Sequence, residues 1–342
     1  MKSKKHSVAV VILTWNDWSN TIECLGSLFK NDYSNFDIIL IDNNSEQFHY
    51  NKILDWCYKK KIHINFINKK RKISPFKLKK NNNLFIYKSS EVANFPFAKN
   101  LGITRGYNKG LNFSLKKNYD FIVRLDCDFV IPKNLIKGMV KTLIANPSSV
   151  AVSPKVYYHL KNKTKLIWWT NLNFTKNYFR FHRTGKNNNR RILDTGQFKG
   201  IITSDSICGC CVMIRTKSLK QAMRIHPPRK NILDEDFFYG PEDMELSHRL
   251  KKLGAIIVNL NYYAHHKVSQ SIHVSGVKSN IYFATIGWLL ITKKICNKKD
   301  QFITRIFFLL RAVLHFMKLF YKKDKDPHIG FLLGLKDYFL KY

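Results

Sequence analysis

Acidic side chains are scarce in this sequence: 23 Asp and Glu stand against 59 Lys and Arg, a formal net charge of +36. Such an excess excludes an acidic, self-solvating chain and favours negatively charged partners: phosphorylated substrates, anionic lipid headgroups or nucleic acid. The chain is also rich in Lys, Asn and Ile throughout, and compositional bias alone accounts for the charge equally well. A cysteine framework is missing too. The seven cysteines, at 24, 57, 127, 208, 210, 211 and 296, are odd in number and irregular in spacing, which suits a reducing compartment better than a disulfide-stapled secreted scaffold. Cys208-Gly209-Cys210-Cys211 has no second Cys/His pair at finger-like spacing, so small buried side chains are a better reading than zinc. Nor is there a stretch of about 20 mostly uncharged apolar residues, as a membrane-spanning helix needs. Val8 to Leu13 is too short for a signal peptide and continues into Thr14-Trp15-Asn16 with no small-residue cleavage site, so a cytoplasmic protein is expected.

The material for a core is ample. With 342 residues, 45% hydrophobic and 14% aromatic, the chain can build one large α/β domain with a tail, or two modest domains, and global disorder is excluded. Residues 8–13 form a β-branched run, as expected of a strand covered on both faces. A helix follows to Phe29, and a second strand, Asp37 to Ile41, stops at Asp42-Asn43-Asn44-Ser45. Strand, helix, strand with short links predicts a parallel crossover unit whose ligands gather at the carboxyl ends of the strands. A helix over 47–59, a basic inserted loop over 69–83, a strand over 84–87 and a helix over 99–117 come next. Tyr119 to Leu125 then reads as a buried strand ending at Asp126-Cys127-Asp128, and Pro132 opens a helix to about Ala145. The alternation predicts a doubly wound half up to about residue 150. Further on the pattern loosens, with Val212 to Ile214 and Ala255 to Val258 as strands, Glu242 to Leu250 as an amphipathic helix, and aromatic, basic helices beyond residue 276.

Three constellations carry chemistry. Asp126 and Asp128 stand one residue apart at a strand end, where hard oxygen ligands suit Mg²⁺ or Mn²⁺ that also bind substrate phosphates. Alone the pair is a common turn former; its weight comes from the polar ends at Thr14-Trp15-Asn16 and Asp42 to Ser45 on the same sheet edge. Glu242-Asp243 begins a helix, where the dipole favours acids anyway. Yet a basic chain concentrates its few acids here, in Asp234-Glu235-Asp236 and Glu242-Asp243, and an acid so placed can serve as general base towards an acceptor hydroxyl. His265-His266 follows a strand. A surface His pair is usually inert, but an imidazole is a sensible third ligand near two carboxylates.

These blocks, in order over about residues 7–275, resemble the family-2 inverting glycosyltransferases of GT-A fold, and in particular a bacterial rhamnosyltransferase-like branch. Val10-Val11-Ile12-Leu13-Thr14-Trp15-Asn16 is similar to the family's opening strand, and Ile41-Asp42-Asn43-Asn44-Ser45 to its donor-base turn. Phe97-Ala98-Lys99-Asn100-Leu101-Gly102-Ile103 is similar to the segment that lines the donor diphosphate, and Leu125-Asp126-Cys127-Asp128 to the Asp-x-Asp. Asp194 to Phe198, Gly209 to Arg215, Leu233 to Phe238 with Glu242-Asp243 and Arg249, and His265-His266 match later blocks. The resemblance implies a Rossmann-like, mainly parallel mixed sheet flanked by helices. It implies that Thr14, Asn16, Asp42 and Asn43 serve the nucleotide, Lys99 and Asn100 the diphosphate, and Asp126 and Asp128 a Mn²⁺ or Mg²⁺. Asp243 is then the base, with Glu242 beside it, and His265 a further metal ligand, with His266 the alternative. The implied donor is a UDP- or dTDP-sugar of hexose or deoxyhexose type, and the acceptor a saccharide or lipid-linked saccharide of the cell surface. Pro96 stands where the family has Gly, the insertion at 69–83 has no counterpart, and no Gln-x-x-Arg-Trp occurs, so a processive synthase is not expected.

The implied organisation is a transferase domain over 1–275, divided near 150 into donor and acceptor halves, with a helical extension over 276–342. Residues 302–321 are apolar but interrupted by Arg305, Arg311, His315 and Lys318, which fits an interfacial helix on an anionic membrane. Packing on the domain or across a homodimer is the plain alternative. The expected place is therefore the cytoplasm, peripheral on the inner membrane face. Two other functions compete: a basic nucleic-acid-binding protein, and a catalytically silent scaffold of the same fold. The first leaves the clustered acids unexplained and the second predicts decay at them, so no specific nucleic acid is expected.

Overall fold

The computed structural model describes residues 5–67, 83–160, 164–173, 192–268 and 276–342. Its centre is a mixed sheet with the order β10-β12-β7-β11-β5-β1-β2-β4-β3. Here β1 is Val8–Thr14, β2 Phe36–Asp42, β3 Ile64–Phe66, β4 Leu84–Lys88 and β5 Phe121–Asp126, all mutually parallel. β7 (Ser149–Tyr158) and β12 (Ala255–His266) run the same way, whereas β10 (Ile201–Ser204) and β11 (Cys211–Arg215) are antiparallel to their neighbours. β6 (Phe129–Val130), β8 (Leu166–Trp169) and β9 (Ile192–Leu193) are short additions at the margin. The expected mainly parallel α/β sheet is present and continues without a break past residue 150, because β7 joins the strands on either side. The basic segment 69–82 and the stretch 174–191, with Tyr178 to His182 and Lys186 to Arg191, lie outside the described residues.

Burial on both faces explains the β-branched strands. Val8, Val10 and Ile12 enter one core with α1 (Trp18–Phe29), α2 (Gln47–Lys59) and α4 (Leu135–Ala145), while Ala9 and Val11 enter the other. That second core is roofed by α3 (Gly102–Lys116), α5 (Thr216–Ala222) and α6 (Glu242–Lys251). Two glycines let α3 lie close: a Cβ at Gly106 would sit 2.6 Å from Leu13 Cδ1, and one at Gly110 would sit 2.5 Å from Val11 Cγ1. The helix therefore delivers its first turn to the ends of β1 and β2.

α7 (Val277–Ile295), α8 (Lys298–Tyr321) and α9 (Asp326–Lys341) form a third cluster around Tyr282, Phe283, Phe331 and Tyr338. This cluster is not remote from the domain. Phe283 stacks on Phe238 with ring centroids 4.0 Å apart, and a Cβ at Gly287 would fall 2.2 Å from the Gly240 carbonyl oxygen. α8 is held mainly along one line, where His315 stacks on Phe331 at 4.1 Å and Phe308 is buried. Burial, with the positive charge of Arg311 beside it, pushes His315 down to about 4.

A histidine depressed in the folded state binds its proton more readily when unfolded. Its contribution is full above the ordinary histidine range and is lost as pH falls towards about 4. Lowering the pH from 7 to 5 should thus lower the thermal midpoint, and His315→Phe should flatten that slope, as read by thermal melts across the range.

Candidate active site

The sheet's register brings three polar strand ends together. Thr14 pairs with Asp42 across β1 and β2, and Leu13 pairs with Asp126 across β1 and β5. Because the chain crosses to opposite sides of β1, a crevice opens there, as expected at a switch point of a parallel sheet. A cavity of about 520 Å³ fills it, a volume suited to a small ligand. Thr14, Asn43, Lys99, Asn100, Asp126, Asp128, Glu242 and Asp243 line it, so eight of the residues singled out in the sequence meet in one space. Asn16, Asp42 and His265 do not line it.

Asn16 and Asp42 are spent on the turn that follows β2. Asn16, with φ of 50°, donates its backbone N–H to Ser45 Oγ at 2.9 Å and accepts from the Glu46 N–H at 2.8 Å. Asp42 is fully buried; its Oδ1 accepts from the Ser45 N–H at 3.0 Å, while Oδ2 is buried with no hydrogen-bond partner. Burial pushes its carboxyl up, against the hydrogen bonds from Ser45 and the charge of Lys88. Asn43 is spent on scaffolding. Its Nδ2 donates to the Gly102 carbonyl at 3.1 Å and its Oδ1 accepts from the Leu101 N–H at 3.2 Å. Asn100 Oδ1 accepts from the Gly102 N–H at 2.7 Å. These bonds clamp the 99–102 turn to the end of β2 and leave the exposed Lys99 free to reach the cavity.

Asp126 accepts from the Tyr107 hydroxyl at 2.6 Å, and its backbone N–H donates to the Cys210 carbonyl at 2.9 Å. Burial pushes its carboxyl up, opposed first by the Arg124 charge, with Asp128 adding to the rise. Asp128 Oδ2 lies 3.2 Å from His266 Nε2. Side chains alternate along a strand, so only one of two adjacent histidines on β12 can face these carboxylates. That place belongs to His266, which stacks on Phe129 at 4.4 Å. His265, expected as a metal ligand, points instead into a cluster with Tyr157, Tyr263 and His159. The correction follows from β12 running on to His266, well past the Val258 end read from the sequence.

Glu242 and Asp243 divide their work. Arg124 Nη2 donates to Glu242 Oε1 at 2.6 Å, with both side chains buried. Burial alone would push Arg124 down, but Glu242, Tyr107 and Asp126 hold it up, and its guanidinium lies 4.4 Å over the Tyr107 ring. Glu242 is thus committed to this ion pair. Asp243 is half-buried and faces the cavity across Gly209, where a Cβ would come within 2.7 Å of Asp243 Oδ2. The neighbouring acids are structural: Asp234 and Asp236 take Lys294 of α7 at 2.7 and 2.6 Å. All seven cysteines are free; Cys211 is buried away from the cavity, whereas Cys127, Cys208 and Cys210 reach its wall. Sequence reasoning passed over Arg124, Tyr107 and Trp288, which also line the cavity. A lone arginine inside an apolar strand was a usable signal, since a buried charge demands a partner.

Among the described residues no three His, Cys, Asp or Glu side chains form a group able to hold a metal. Asp126 and Asp128 nevertheless fit a Mg²⁺-like ion, which typically takes one or two protein carboxylates and completes its shell with substrate phosphates and water.

Sequence comparison decides the family. A model of the family described as Glycosyl transferase family 2 matches residues 9–74 and 80–222, more than half of the chain. The chain belongs to glycosyl transferase family 2. No curated protein matches it in sequence. Among solved structures, this transferase is similar to the mannosyltransferase PcManGT of Pyrobaculum calidifontis, determined with GDP-Man and Mn²⁺. The TM-score is 0.51 at 12% identity, over 98% of this chain and 88% of that one. It is also similar to TarS of S. aureus, with a TM-score of 0.51 at 15% identity over 98% of this chain and 49% of that one, so it spans about half the length of TarS. At such identities the likeness is one of fold, and it agrees with the GT-A architecture.

The buried pair yields a test. Glu242→Leu should destabilise the transferase by about 3–5 kcal/mol, because it leaves the Arg124 charge uncompensated. The double variant Arg124→Met with Glu242→Leu should recover most of that loss, as measured by urea denaturation.

Proposed function

We propose that this glycosyltransferase moves a hexose or deoxyhexose from a UDP- or dTDP-sugar onto a saccharide or lipid-linked saccharide hydroxyl, with inversion at the anomeric carbon. The observation that carries the proposal is that one cavity holds both the Asp126–Asp128 pair and Asp243. Asp243 takes the proton from the acceptor hydroxyl, whose oxygen attacks the anomeric carbon from the side opposite the diphosphate. The bond to the diphosphate breaks, and its electron pair leaves with the nucleotide. Asp126 and Asp128 would hold Mn²⁺ or Mg²⁺ on the diphosphate side, with His266 steadying Asp128. When bound, that ion supplies Lewis-acid stabilisation of the departing charge. Lys99 adds positive charge on the same side, and Asn43 and Asn100 keep its turn in place.

Asp42 is assigned to the donor-base corner; buried outside the cavity lining, it serves that corner by holding the 42–45 turn through the Ser45 N–H. Thr14 and Asn16 shape the same corner. The transferase domain is taken as 1–275, and the helical region 276–342 adds a wall through α7, where Phe283 and Trp288 face the cavity. The work is non-processive, in cell-surface polysaccharide or glycolipid synthesis, at the cytoplasmic face of the membrane.

Turnover is scored as nucleoside diphosphate released from a panel of nucleotide-sugars. Asp243→Asn should lower it by at least ~100-fold, in the range of general-base loss, with UDP or dTDP affinity nearly unchanged. Full activity in that variant removes Asp243 from the base role. Asp128→Ala should instead weaken Mn²⁺-dependent UDP or dTDP binding by roughly tenfold or more in calorimetry, as loss of a hard ligand requires. Equal affinity with and without the ion in the wild type would remove the metal from the proposal.

A further inference from the structure

α8 carries an apolar surface that the fold does not use. Of its 24 residues only Phe308 is buried among the hydrophobic ones. Phe302, Ile306, Leu309, Val313, Phe316 and Phe320 follow one another at alternating steps of four and three residues, which puts them on one line along the helix. All six are exposed, Phe302 by 64% and Phe320 by 77%. From Phe302 to Phe320 the line is about 27 Å long at 1.5 Å per residue. Leu310 (64% exposed) and Met317 (44%) widen it on one side, so that the apolar arc covers roughly half of the circumference. By the same angular spacing Arg305 borders one edge, and Arg311 and Lys318 border the other. Among the described residues no helix is long and apolar enough to cross a membrane, so this face does not belong to a span.

We infer that α8 lies in the headgroup region of an anionic lipid bilayer, its apolar arc inserted and its basic edges meeting lipid phosphates. The inference rests on the peripheral placement proposed above and deepens it; the transfer chemistry stands apart from it. Two features favour a bilayer over a second copy of the chain. A helix pair needs a narrow seam flanked by charges of both signs, and here the flanks are Leu310 and Met317. A twofold partner would also set Arg305, Arg311 and Lys318 against their like, with Asp300 the only acid on the helix. Lys322, Lys323 and Lys325 follow directly, which suits a surface of anionic headgroups.

The test uses the full chain and vesicles of phosphatidylcholine alone or mixed with phosphatidylglycerol. Sedimentation should be at least about tenfold greater with the anionic vesicles and should weaken with added salt. The variant Leu310→Glu/Phe320→Glu should remove it, and Arg311→Glu/Lys318→Glu should remove the preference for anionic lipid. Leu310, Phe320 and Arg311 are exposed and Lys318 is half-buried, and none of the four lines the cavity, so circular dichroism and UDP binding with Mn²⁺ should be unchanged. A wild-type chain that ignores anionic vesicles while binding UDP overturns the inference and leaves the transferase reading intact. A stable dimer in light scattering that Leu310→Glu/Phe320→Glu splits, with vesicle binding unaltered, overturns it in favour of a second copy. Vesicle binding without binding of any nucleotide would instead count against the transferase reading alone.

Discussion

A single buried ion pair ties the two walls of the cavity together. Arg124 is rooted in β5, two residues before Asp126, and Glu242 opens α6, one residue before Asp243. Bringing the charges together at 2.6 Å inside the protein fixes α6 against the sheet, and with it the distance between the carboxylate pair and the facing aspartate. The pair is not a source of stability in itself, since desolvating both charges offsets most of their attraction. What it contributes is position. The Tyr107 ring beneath the guanidinium and the Tyr107 hydroxyl on Asp126 extend the same arrangement to α3.

A second set of ion pairs does for the helical region what the first does for the cavity. Lys294 on α7 meets Asp234 and Asp236, and Arg229 meets Asp234 and Glu245. The acids that a basic chain gathers between residues 234 and 245 are therefore mostly consumed in docking α6, α7 and the connecting loop. From that group Glu242 and Asp243 line the cavity: Glu242 does so from its pair with Arg124, and Asp243 stands where Gly209 yields the space a side chain would fill.

Much of this was legible in the sequence where a local rule governs it. The β-branched run at 8–13 and the abrupt polar ends after β2 and β5 identified the sheet and its functional edge, because both faces of those strands are covered and their ends are not. The recurring glycines of α3 were visible, though their reason, contact with Leu13 and Val11, was not. What stayed hidden depends on distant partners. β7 carries Pro154 and Lys155 in its middle, an unlikely strand until Lys155 is seen to meet Asp194 at 2.7 Å. Which histidine of the pair faces Asp128 depends on how far β12 extends. That Glu242 is occupied depends on a residue 118 positions earlier.

The family match ends at residue 222, whereas the wall that bears Asp243, Phe283 and Trp288 lies wholly beyond it. One half of the cavity thus falls within the matched residues and the other half beyond them. The shared half carries the strand ends and the carboxylate pair, whose geometry the sheet constrains tightly. The other half rests on α6, whose Leu246 and Leu250 enter the second core, and on α7, which ion pairs and a glycine contact join to the loop before α6. Phe283 and Trp288 of α7 shape what the cavity admits from an element that holds neither Asp126 nor Asp128.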